Sequence, residues 1–180
     1  MRHAQTLVAA ALLTLFATSV GANEYAVAIT KHAESIKSWL SDDAVQSTLQ
    51  ASNDKYAGEH KRSLMVLGRK WKKELDKDSQ PIISAVMGNA LSAFLKKKQE
   101  ESQGLYAEIV VMNDNGLSAG QSDLTEDYWY GQKDIWKKTF RKGTKSILIG
   151  EVEKNESSQK PQSRLSLPVP HSSGKYNVGA

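Results

Sequence analysis

The hydrophobic period changes once along this chain, at Gly104, and that change confines the fold to helices first and strands afterwards. From Asn23 to about Gln103 apolar residues recur at helix spacing: Ile29, Ala33, Ile36 and Leu40, then Val45 and Leu49, then Leu64, Leu67, Trp71 and Leu75. Ser41-Asp42-Asp43 predicts a break and a fresh N-cap between the first two stripes. A third helix is predicted to open at Pro81, since proline is tolerated in a first turn, and to run through Leu95. Lys96, Lys97 and Lys98 then stand near its end, where cations suit the helix dipole.

Beyond Gly104 the signals are those of strands. Leu105 to Met112 is a short, largely apolar run, and Asn113-Asp114-Asn115-Gly116 is a turn signal before Leu117 to Gln121, so a hairpin is predicted. Thr125 to Phe140 returns to helix or tight turn and ends at Gly143. Ser146 to Val152 and Arg164 to Val169 read as two further strands, with Glu153 to Ser163 as a polar, mobile loop between them. His171 to Lys175 is a turn leading into Tyr176 to Ala180, and no repeat of fixed period is visible.

The first residues read as an address. Arg2 and His3 form a short basic start, Leu7 to Phe16 an apolar stretch, and Val20-Gly21-Ala22 a small-residue cleavage site, so residues 1–22 are expected to be a secretory signal peptide. The rival is an uncleaved anchor, but the apolar stretch is shorter than the roughly 20 residues that cross a bilayer. Residues 23–180 are then expected to be one exported domain in the periplasm. Cysteine is absent, which excludes a disulfide framework and thiolate chemistry. A net charge of +4 is too small to imply a nucleic-acid partner.

Several pieces of the second half occur in a telling order. Ala107 to Gly116 comes first, then Ser122-Asp123-Leu124-Thr125-Glu126-Asp127-Tyr128-Trp129, then Gln132 to Trp136, and last Leu167-Pro168-Val169-Pro170 before Ser173-Gly174-Lys175 and Val178-Gly179-Ala180. In that order they resemble the PAS-like Cache (PDC) sensor domains found outside the membrane in bacterial receptors. The resemblance implies an α+β fold, with N-terminal helices packed on a central antiparallel sheet of about five strands. It also implies a ligand held between that sheet and the Asp123–Trp136 segment, with Asp127, Tyr128, Trp129, Lys133 and Trp136 as ligand-binding candidates. The family's last strand continues past the position of Ala180, so here it is expected to be truncated or completed by a partner.

Each candidate has a plainer reading. Trp136 and Phe140, four apart on one helix face, suit a core, and Asp127 suits a helix cap. The lysine runs at 70–73, 96–98 and 137–145 suit solvated faces interspersed with acids. Catalysis finds little support. His32, His60 and His171 lack metal-ligand spacing, Asp114 lacks the closing glutamate of a calcium loop, and no Gly-x-Ser-x-Gly elbow is present. The expectation is therefore a non-enzymatic periplasmic domain without metal or cofactor, which binds a small metabolite and signals through a membrane protein. The alternative is a protein-interaction module of the same fold with no ligand.

Overall fold

A computed structural model describes residues 21–154 and 159–180. The expected export segment up to Val20 lies outside these residues, as does part of the expected loop at 153–163. The helices are α1 (Gly21–Lys37), α2 (Asp43–Lys55), α3 (Lys61–Glu74), α4 (Pro81–Met87), α5 (Ala90–Glu101) and α6 (Asp134–Phe140). The strands are β1 (Val110–Met112), β2 (Ser118–Gln121), β3 (Leu148–Lys154), β4 (Pro161–Ser166), β5 (Val169–Pro170) and β6 (Asn177–Gly179). The chain is thus α+β, with helices first and strands second.

Local chemistry accounts for most helix ends. The Asp42 carboxylate accepts from the Ala44 amide at 2.9 Å, which starts α2 where the sequence breaks. Pro81 has no amide hydrogen to satisfy at the start of α4, and the next two amides, Ile82 and Ile83, donate to Glu74 Oε2 at 2.8 and 3.0 Å. A buried acid at the end of one helix therefore caps the next. The single helix expected from Pro81 to Leu95 is instead two. Gly88 ends α4, and Asn89 caps α5 by accepting from Ser92 N at 2.8 Å while its amide donates to Ala119 O at 2.8 Å.

The strands form three antiparallel two-stranded ladders, β1 with β2, β3 with β4 and β5 with β6, rather than one five-stranded sheet. Proline gives the physical reason. Leu167-Pro168 interrupts the stretch that would have been one strand, and Pro168 has no amide hydrogen for a ladder. The stretch pairs with β3 before this break and with β6 after it. The region expected to be loop after Glu153 is partly strand, because the β3–β4 ladder runs out to Lys154 and Pro161.

Two of the ladders meet edge to edge. Met112 and Ala180 exchange backbone hydrogen bonds of 2.6 and 2.9 Å, and Asn113 bridges Gly179. Gly179 permits the approach, since a Cβ there would stand 2.4 Å from Met112 O. Beyond β2, Ser118 N donates to Tyr128 O at 2.8 Å and Tyr130 N to Gly116 O at 2.7 Å, which fastens the 122–133 segment along the hairpin.

Side chains alternate across these strands. On one face Val111, Ala119, Val169 and Val178 pack against Val45, Leu49, Leu91 and Leu95 from α2 and α5. On the other, Met112 and Ala180 pack against Trp136 of α6, with Val110, Tyr130 and Phe140 beside them. A third cluster joins Leu64, Trp71, Ile83 and Val86 to Leu117 and Tyr128. The 122–133 segment therefore touches both the helical layer and the α6 layer.

A candidate ligand-binding mouth

The 122–133 segment is irregular yet closely fastened. Trp71 Nε1 donates to Thr125 O at 2.9 Å, Gln121 Nε2 to Asp127 O at 3.3 Å, and Thr125 N to Gln121 Oε1 at 3.2 Å. Gly116, at φ +75°, lets it come close, because a Cβ there would meet the Gly131 backbone at 2.7 Å. The result is a strap across the end of the β1–β2 hairpin, positioned before any ligand arrives.

The residues that the sequence singled out divide between core and rim. Tyr128 is buried, its ring stacked on Trp71 with centroids 5.0 Å apart and its hydroxyl 3.2 Å from that of Tyr56. Burial and the Tyr56 neighbour raise its pKa. Trp136 is also buried, stacked on Phe140 at 5.1 Å, with Nε1 donating to Asn113 O at 3.2 Å. Trp129 is half-buried and donates to Asn115 O at 3.0 Å. Asp127 and Lys133 are ion-paired at the rim, with Lys72 3.9 Å from the other carboxylate oxygen of Asp127. Asp127 is thus not the helix cap that its position suggested. The cap position of α6 is Lys133, which makes no side-chain capping bond.

Three residues outside the candidate set complete the mouth. Tyr130 lies between Thr125, whose hydroxyl is 3.4 Å from the phenol oxygen, and Lys133, whose ammonium stands 5.1 Å from the ring centre. Its pKa is pushed up to about 12, first by burial, with Glu108 and Asp127 adding to the rise and Arg164 opposing it. The phenol therefore keeps its proton, and its donor, at physiological pH. Glu108, two residues before β1, feels Asp123, Arg164, Asp127 and Lys133. Neither the Glu108 nor the Arg164 side chain makes a hydrogen bond or ion pair among the described residues.

Sequence alternation could have found Glu108, since it shares a parity with Val110 and Met112 on the α6 side of β1. Arg164 carried no such signal, because it reaches the mouth through the ladder pairing of β3 with β4. Opposite charges and a phenol thus lie near one another, the phenol ring packed beside Val110 against the buried Met112 and Trp136. That is the composition of a site for a small polar molecule.

Desolvation and the neighbouring Asp123 raise the Glu108 pKa from its ordinary 4.5, although the side chain keeps contact with water. The folded protein then holds this proton to a higher pH than the unfolded chain does, so stability is lost as pH rises from 4.5 through the raised pKa. Glu108→Gln is expected to raise the urea midpoint at about pH 7 and to leave it unchanged at about pH 3, where both forms are neutral. A lower midpoint for the variant at neutral pH would show that the carboxylate is stabilised in place.

Among the described residues, no group of three histidine, cysteine or acidic side chains is placed to hold a metal ion. No described helix is long and apolar enough to cross a membrane. No protein-family model matches the chain, and no curated protein matches it.

Proposed function

We propose that this chain is an exported, non-catalytic sensor domain of the PAS-like Cache type. It binds a small polar metabolite at the Glu108–Tyr130–Arg164 mouth and passes the bound state to a membrane signalling protein. The observation that carries this reading is that Tyr130, fastened within the strap, lies near enough to feel the charges of Glu108 and Arg164, whose side chains have no ion-pair partner among the described residues. A ligand with donors and acceptors would satisfy groups that the protein leaves to water. The resemblance to that family rests on the order of the segments Ala107 to Gly116, Ser122 to Trp129, Gln132 to Trp136 and Leu167 to Ala180. Export rests on the Arg2 to Ala22 pattern.

Signalling requires that the ligand prefer one arrangement of strap and strands over another. Thermal-shift screening of the full chain against amino acids, organic acids and other small metabolites tests the reading, with hits measured by calorimetry. A genuine ligand should lose about tenfold or more in affinity with Arg164→Gln or Tyr130→Phe. A panel without hits, or hits indifferent to both substitutions, would remove the proposal.

A second reading, a protein-interaction module with no ligand, draws support from the packing of Tyr128 and Trp136. Their rings fill space that an enclosed pocket would need. Chemical crosslinking in cells separates the two. This module would capture a periplasmic protein through the rim residues Trp129 and Lys133 with no metabolite required.

A further inference from the structure

A concavity of about 330 Å³ lies apart from the strap and shares no residue with it. Its walls come from the turn after α1, the loop between α6 and β3, the Leu167-Pro168 break and the β5–β6 turn. Gln46 ties two of these walls together, its amide donating to Leu40 O at 2.6 Å and Pro170 O at 3.1 Å. The cleft is therefore preformed. Leu40, Leu167 and Pro168 supply apolar surface, whereas the charged residues that line it, Lys37 and Lys145, are both cationic, Lys37 being ion-paired with Glu34 at 2.6 Å.

Hydrogen-bonding capacity is also left over here. Ser173 N donates to His171 Nδ1 at 3.1 Å, so the neutral ring carries its proton on Nε2, a donor on a residue of the cleft wall. Behind the wall, Ser146 Oγ donates to Thr139 O at 2.9 Å and Asn177 Nδ2 to Phe140 O at 2.8 Å.

We infer that this cleft binds a small organic anion. The carboxylate meets Lys145 and the His171 ring N–H, and the apolar part lies against Leu167 and Pro168. Charge alone would serve any anion, but the leucine and proline floor favours one with a hydrocarbon body.

Calorimetry of the full chain with sodium benzoate as probe tests the inference. Saturable binding with a Kd below about 1 mM is expected, with benzamide and inorganic phosphate at least about tenfold weaker. Lys145→Gln should weaken benzoate about tenfold. Ser172→Trp, a change in an exposed turn residue that would fill the cleft, should abolish binding. Arg164→Gln at the mouth should leave it unchanged, which keeps the two sites distinguishable. The inference is overturned by any of three results: no saturation up to about 10 mM benzoate, benzamide or phosphate binding as well as benzoate, or full affinity in both cleft variants with their thermal melts intact.

Discussion

Replacing Trp71 with alanine is expected to destabilise the protein by about 3–5 kcal/mol, the largest loss for any single change considered. Trp71 is fully buried and sits where α3, α4, the β1–β2 hairpin and the strap converge. Alanine would leave a void beneath the Tyr128 ring, now stacked nearly parallel at an interplanar angle of 7°. It would also strip Thr125 O of its only indole donor. Trp71→Phe keeps an aromatic surface but not the donor, so it should lose about 1–3 kcal/mol. Urea denaturation of both variants checks the order. Equal losses would show that the hydrogen bond, not the ring, fixes the strap.

Asn113→Ala should cost about 2–4 kcal/mol, by a different mechanism. Asn113 is fully buried, and its Oδ1 accepts from Asn115 N at 3.0 Å and Leu117 N at 2.9 Å. Its amide donates to Ser52 Oγ at 3.1 Å, which joins the hairpin to α2. Alanine removes the acceptor, and the Leu117 amide, deep in the structure, has no water to replace it. Asn113→Asp keeps the acceptor and should lose less. Denaturation combined with hydrogen exchange at Leu117 measures both effects, and an unprotected Leu117 amide in an otherwise stable Asn113→Ala protein would contradict this account.

Features whose cause lies within a few residues were legible in the sequence. The Asp42 cap, the start of α4 at Pro81 and the Asn113–Gly116 turn each follow from chemistry that completes itself locally. The break at Gly88-Asn89 was not legible, because the Asn89 amide finds its acceptor on Ala119, thirty positions away. The outer half of the β3–β4 ladder was missed for a related reason. Its residues are exposed and polar, so backbone pairing rather than burial holds them, and a hydrophobic pattern has nothing to report.

At the mouth, the sequence located the Asp127–Trp136 segment but not which rings it spends on packing. Tyr128 and Tyr130 are two residues apart, yet one packs with α3 and the other with Val110 and Phe140. Their positions are held by backbone bonds to Ser118 and Gly116, which lie on a hairpin far from them in sequence.

Asn53 of α2 holds Val178 O with its amide and the Asp114 N–H with its carbonyl, at 2.9 and 3.0 Å. One side chain thus rivets a helix to two hairpins at once, and a slip of α2 along the strands would unseat both bonds together. Helix α2, β1 and β6 are consequently tied together at one point. Helix α1 instead packs beside β3, whose partner β4 bears Arg164. The proposed ligand's contact with that guanidinium would thus have a packed path to the N-terminal helix through β3 that bypasses the riveted elements.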